Sequence, residues 1–338
     1  MIELIPEAGR FYKANLHSHS TVSDGVQTPE QVKELYKSMG YHAVCFTDHE
    51  IILPHKDLCD ESFVALHGYE VSVKQNLDAH TGCFMPVYHF NLIAKDPDNV
   101  TMARFYKNNP SWAGNSRMWA EKCGKYSDVI ERSYYDIDWL NDYTKALGEA
   151  GYLVNYNHPE WSLHGPADYV GLKYIDSIEV INGGCHVIND NTSLHYHQLL
   201  RAGRRVFPTA GDDNHGTESV GMGWTMIKAP ELTYEALIRG LEQGHCYASE
   251  GPEILSLVLE NGKIKVKTSP AFGIYLLSEG RCGVWEENRE TLLTEAEFDY
   301  RPDLFGSFFR IEVRDAQGYK AFSNAYFTDE IAEKLAKE

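Results

Sequence analysis

The stretch Phe11-Tyr12-Lys13-Ala14-Asn15-Leu16-His17-Ser18-His19 decides how the rest of the chain is read. It has strand character and ends in two histidines spaced two apart. Strand side chains alternate between faces, so His17 and His19 project the same way and can grip one cation. Alone, such a pair fits a structural role equally well. A helix start comes next in the chain: Thr28 caps, Pro29 suits the first turn and Gln31 completes a capping box. Val32, Leu35, Tyr36 and Met39 form the apolar stripe of that helix and Gly40 ends it. Strand-like runs occur at 43–47, 63–66, 90–94, 152–156, 177–181 and 206–209, with helical segments at 166–173 and 192–202. A strand–helix alternation of this kind implies an α/β fold with parallel strands, as a barrel or a wound sheet.

Two departures bound that rhythm. Residues 96–150 form an aromatic-rich insertion expected to be helical, and its Tyr106, Trp112, Trp119, Tyr126, Tyr134, Tyr135 and Trp139 suit packing against the barrel. From Gly251 the pattern turns antiparallel: 255–259 and 263–267 flank Asn261-Gly262, a strong hairpin signal. Residues 310–314 and 320–327 flank a second turn, Asp315-Ala316-Gln317-Gly318. The expected division is residues 1–250 as the α/β unit and 251–338 as a small all-β, sandwich-like module.

Composition narrows the function. Seven cysteines with no C-x-x-C pair exclude a disulfide framework and a thiolate zinc site. No apolar run approaches the roughly 20 residues that span a bilayer, and the N-terminus lacks a basic start followed by an apolar stretch. A cytoplasmic protein is therefore expected. A net charge of -18 excludes a broad nucleic-acid-binding face. It leaves room for a small anion, because bound cations reverse the sign inside a pocket.

The chemistry-bearing residues recur at strand ends. Asp48-His49 comes after 43–47, Glu70 after 63–66, Asn157-His158-Pro159 after 152–156, and Asp213-Asn214-His215 after 206–209. In a parallel barrel those carboxyl ends converge on one face, where active sites form.

His17-x-His19, Ser23-Asp24-Gly25, Thr47-Asp48-His49, Glu70, His158-Pro159 and Asp213-x-His215, in that order, resemble the polymerase and histidinol phosphatase (PHP) family over about residues 10–250. The resemblance implies a distorted (β/α)7 TIM-like barrel with two to three divalent ions of zinc, manganese or iron. Mixed nitrogen and oxygen ligation suits those metals. Carried over by position, His17, His19, Glu70 and Asp213 hold the first ion. Glu70 bridges to a second, shared with His158 and His89, and Asp24, His49 and His215 hold the third. Asp213, Glu70 and His215 then carry the catalytic roles. The implied activity is phosphoester hydrolysis, of a mono- or diester, by a metal-bridging hydroxide on a small phosphorylated substrate. The alternatives are amide or other C–N hydrolysis at a similar centre, and a non-catalytic metal- or ligand-binding module.

Spacing alone leaves one ligand open between His80, in a polar stretch, and His89, at the start of a strand-like run; the strand setting favours His89. Asp212, where the family commonly has a small residue, is read as a solvated loop carboxylate or an acceptor for a ligand histidine. Asp48 is read as a support, not a ligand. His186 and Arg117 are candidate substrate contacts, as is His164, while Lys122 is read as surface. His42, His55, His67, His195, His197 and His245 are read as structural.

Overall fold

The computed structural model describes residues 1–75, 85–108, 110–188 and 193–337. Nine strands build the first part: β1 (Arg10–Asn15), β2 (Ala43–Phe46), β3 (Val64–Lys74), β4 (Val87–Ala94), β5 (Tyr152–Tyr156), β6 (Ser177–Asn182), β7 (Phe207–Gly211), β8 (Trp224–Ala229) and β9 (Cys246–Ser249). They lie in one sheet in the order β7-β6-β5-β4-β3-β2-β1-β8-β9. β1, β2 and β3 run parallel, as do β5, β6 and β7. β4 is antiparallel to both its neighbours, breaking the expected all-parallel rhythm. Lys74 at the end of β3 pairs with Val87 at the start of β4. A connection of about a dozen residues is at the lower limit for a parallel crossover.

Among the described residues no ladder joins β7 to β1. The edge of β1 that would close a ring is taken by β8, from Ala14 opposite Thr225 to Arg10 opposite Ala229. β1 and β7 are joined at their carboxyl ends by an isolated Ser18–Asn214 bridge, by the Asp213 N–H donating to the His17 carbonyl at 2.9 Å and by the Asp212 N–H donating to Asn15 Oδ1 at 2.9 Å. The result is a mixed α/β fold on a large open sheet.

The helix after β1 spans Pro29–Ser38 with its capping box formed, and buries Val32 and Tyr36. The insertion is less helical than expected. It holds helices Ser116–Cys123 and Ile137–Glu149 and two-residue strands Phe105–Tyr106 and Val129–Ile130. Turn formers such as Asp96-Pro97-Asp98-Asn99 and Pro110-Ser111 keep the remainder irregular.

After Gly251 the hairpin forms as expected, with Glu260 opposite Lys263 and both Asn261 (φ 51°) and Gly262 (φ 73°) left-handed, as a tight two-residue turn requires. Ile254–Glu260, Lys263–Ala271 and Leu293–Asp299 form a second sheet, completed by Ile2–Glu3 from the start of the chain. Lys320–Phe327, Phe308–Arg314, Gly273–Ser278 and Val284–Glu287 instead extend the main sheet outward from β9. Between the two sheets lies a core of Leu257, Ile264, Val266, Ile274, Ile311 and Val313, into which Ile2, Leu4 and Ile5 also pack. No helix among the described residues is long and apolar enough to cross a membrane.

Candidate metal centre

Past the carboxyl end of β1, His17 and His19 point to one side as their alternation demands, with Nε2 atoms 3.2 Å apart. Glu70 lies mid-strand in β3, not after it, since β3 runs on to Lys74. Its carboxylate is the hub. Oε1 lies 2.9 Å from His89 Nδ1, 3.4 Å from His17 Nε2 and 3.4 Å from His158 Nε2. Oε2 lies 3.2 Å from His49 Nδ1 and 3.4 Å from His19 Nε2. Asp213 faces the same space, with Oδ1 2.9 Å from His19 Nε2 and 3.3 Å from His17 Nε2. Asp24 closes the outer side, 3.4 Å from His215 Nε2 and 3.8 Å from His49 Nε2.

All nine candidate ligands thus converge. Their donor atoms fall into four overlapping groups, each with its atoms within 4.8 Å of one another: His19, Asp24, His49 and His215; His17, His19 and Glu70; His17, His158 and Asp213; Glu70, His89 and His158. His89 stands in the cluster, on β4. His80 lies outside the described residues. The grouping also places His19 with Asp24, a proximity the motif alone did not indicate.

The donors suit divalent cations on their own chemistry. His19 Nδ1, His49 Nδ1 and Asp24 Oδ1 are buried without a hydrogen-bond partner, an expensive arrangement unless something else takes them up. Burial works against the charged form of Glu70, yet His89, His17 and His49 hold its carboxyl well below the ordinary range. Asp213 is likewise held low against burial, by His17 and His19. Burial also opposes charge on His215, but the Asp24 carboxylate overcomes it and raises the imidazole to about 9. The carboxylates likewise raise His17 and His158 against burial, while burial lowers His49 to about 3 and also lowers His89. Two candidate ligands also sit on strained backbone, His158 at φ 22° and Asp213 at φ 46°, as is common where surrounding structure imposes a functional geometry.

Several supports were not legible as such. Glu179, buried in β6, accepts from the backbone N–H of His158 at 3.2 Å and lies 3.1 Å from His17 Nδ1, orienting that ring. A lone acid in Ser177-Ile178-Glu179-Val180-Ile181 was the available signal. Asn157 donates to Glu70 Oε1 at 2.8 Å, and Asn182 donates to Glu179 at 2.8 Å and to Asp213 at 3.3 Å. Trp161 packs edgewise on His158, ring centres 4.9 Å apart, and tilted against His89 at 5.1 Å.

Asp48 coordinates nothing in the cluster. It accepts from the N–H and hydroxyl of both Ser20 and Ser23, at 2.7–3.0 Å, and so fixes the turn that carries Asp24. Asp212 is neither a solvated loop carboxylate nor an acceptor for a ligand histidine. It is fully buried, accepts from the N–H groups of Gly221, Met222 and Gly223 and from the Tyr36 hydroxyl, and burial raises its carboxyl to about 6. His164 spends both ring nitrogens on tyrosine hydroxyls, Tyr156 and Tyr135, which removes it as a substrate contact. His186 is exposed, with Nδ1 2.8 Å from the Gly183 carbonyl. Arg117 has a side chain 70% exposed and engages Glu121, one helical turn away, at 2.9 Å.

The model of the PHP domain matches residues 15–174. These residues form a PHP domain. Asp213 and His215 lie beyond the matched span and join the same cluster in space. No protein with a curated description matches the chain. Among solved structures, a two-domain Bacteroides vulgatus protein containing a predicted PHP-like metal-dependent phosphoesterase is 14% identical, over 97% of this chain and 98% of that one, with TM-score 0.45. A provisionally named metal-dependent phosphoesterase from Bifidobacterium adolescentis is 17% identical, covering 63% and 89%, with TM-score 0.34. An amidohydrolase from Chromobacterium violaceum, with bound sulfate and no metal, is 17% identical, covering 69% and 96%, with TM-score 0.38. Likenesses this distant say nothing about the substrate.

Proposed function

We propose that this chain is a phosphoester hydrolase that works with three divalent ions at the His/Asp/Glu cluster, on a strand arrangement that approximates a distorted barrel. The observation that carries the reading is the donor balance: six histidines and only three carboxylates, Asp24, Glu70 and Asp213. Neutral imidazoles outnumber the charged ligands, so a centre loaded with divalent ions is net positive and matches a phosphate dianion. When bound, such ions supply a water of lowered pKa and charge for the phosphoryl oxygens.

The chain's own residues do the rest. Glu70 faces all of the inner histidines and would share its two carboxylate oxygens among the ions they hold. Glu179 and Ser162 occupy the Nδ1 sides of His17 and His158, at 3.1 and 3.3 Å, which presents the Nε2 atoms inward. Asp24 and His215 form the solvent side, with side chains 29% and 46% exposed, and that is where substrate enters. His215 is held there by Asp24, 3.4 Å from its Nε2, and would serve as a ligand of the outer ion.

The discriminating experiment loads the purified chain with Mn or Zn and assays phosphate release from a panel of phosphomonoesters and diesters beside a panel of amides. Turnover of phosphoesters is expected. Turnover confined to amides would replace this reading by C–N hydrolysis, and turnover of neither would leave a binding module.

A further inference from the structure

Away from the metal cluster, a cavity of about 520 Å³ opens where the helix Leu194–Arg201 faces the outward extension of the main sheet. Its charge is unlike that of the rest of the chain. Among the described residues that line it, Arg201, Arg281, Arg310, Arg314 and Lys320 are cationic, and Glu312 alone is acidic. The chain as a whole carries -18. A cationic pocket on so acidic a protein needs a reason, because those side chains would otherwise find acidic partners nearby.

The pocket is built from two regular elements. On the strand Phe308–Arg314, alternation puts Arg310, Glu312 and Arg314 on one face, while Phe309, Ile311 and Val313 pack into the core opposite. On the helix, His197 and Arg201 are one turn apart and so share a face. Arg310 is the anchor, at 2% exposure. Its guanidinium has five N–H donors, yet one short hydrogen bond, to Ser193 Oγ at 2.7 Å. Its other hydrogen-bond contacts, Glu312 Oε2 and His197 Nδ1, are both at 3.5 Å, and the guanidinium lies 5.7 Å from the Tyr196 ring centre. Glu312 is also shared, accepting from Arg314 at 2.9 and 3.1 Å. Burial, with Arg310 and Arg201 beside it, lowers the His197 imidazole to about 4, so that ring is neutral and offers no counter-charge problem of its own. Arg281 has no ion pair among the described residues, and Arg201 donates only to the Glu279 carbonyl, at 2.9 Å. A buried guanidinium left so thinly partnered, in a cavity within the size range of small-molecule sites, is a group waiting for an acceptor.

We infer that this cavity binds a small multivalent oxyanion, of the diphosphate or tricarboxylate kind, held by Arg310 from the floor and by Arg201, Arg281 and Arg314 from the rim. Guanidinium forks match both phosphate and carboxylate edges bidentately. A single negative charge would leave most of the ring of cations uncompensated, which selects for multiple charge. The site lies between a helix of the first 250 residues and strands of the last 88, so an occupied pocket ties the two together.

The test is calorimetric titration of the full-length chain with pyrophosphate and, separately, citrate at ~150 mM salt, where weak surface attraction is largely screened. The same titrations are run on the double variant Arg201→Ser/Arg281→Ser, both exposed positions, and on Arg310→Met. Saturable binding of one anion to the parent, weakened at least about tenfold in the double variant, is expected from the loss of two charge-assisted contacts. Which anion binds names the ligand class. Binding of neither overturns the inference, and so does binding that the double variant leaves unchanged, because that event belongs to the metal centre. Arg310→Met should abolish the event while melting as a folded protein; the double variant decides the matter if it does not fold.

Discussion

His17 is gripped from both sides of its ring, by Glu179 at Nδ1 and by Glu70 and Asp213 at Nε2. A residue so constrained has no freedom to serve the core instead. Asp213→Asn and His17→Ala should each lower turnover by at least about a hundredfold, the scale of losing one electrostatic element of a preorganised site. Circular dichroism should show the fold retained, since both lie past strand ends; a folded, fully active variant would place the centre elsewhere. The candidate ligands were legible because all but Asp24 lie on or just past a strand with a clear apolar pattern. Glu179, Asn157 and Asn182 were not, because a supporting role depends on what lies across the sheet, which sequence spacing does not encode. His67 illustrates the same limit. Read from the sequence only as structural, it is buried on β3 beside Tyr234, and burial lowers its imidazole to about 4. The unfolded chain takes up that proton near the ordinary 6.5 and the folded chain only near 4. Its contribution is therefore intact above pH 6.5 and is lost as pH falls toward 4. His67→Phe should flatten the melting temperature against pH within that window, and an unchanged slope would refute the assignment.

Among the elements, the strands that carry ligands were placed to within a few residues, and Tyr152–Tyr156 fell where expected. The direction of β4 was not legible, since periodicity reports which face is buried and is blind to which way the strand runs. The insertion falls short of the expected helix because turn formers such as Asp96-Pro97-Asp98-Asn99 interrupt it. Close packing between elements makes one further demand. Gly211, the last residue of β7, lies so near β1 that a Cβ there would sit 2.5 Å from His17 Cβ and 3.0 Å from a Glu179 carboxylate oxygen. Gly211→Ala should push His17 off its position, reducing bound metal while leaving secondary structure intact. Elemental analysis with circular dichroism checks this, and a full metal complement in the variant would show that the strand ends can give way.

For the molecule as a whole, the sequence marked where the antiparallel region begins but not how it is attached. Lys320–Phe327 pairs with β9, and Ile2–Glu3 pairs with Ile254–Glu260, so the chain's start is sewn into its end. Cutting after residue 250 would bare the β9 edge and the apolar side chains of Ile2, Leu4, Ile5 and Tyr247. An exposed strand edge beside an apolar patch promotes aggregation. A 1–250 fragment should be insoluble or associate on gel filtration; a monomeric fragment with its metals bound would show that the two regions fold independently.

The decisive measurement is elemental analysis of the full-length chain after gentle purification and after reconstitution with Mn or Zn. Nine candidate ligands in four overlapping groups predict more than one tightly bound divalent ion per chain, approaching three. A chain that never holds more than one ion, even at saturating metal, would contradict a centre built for several.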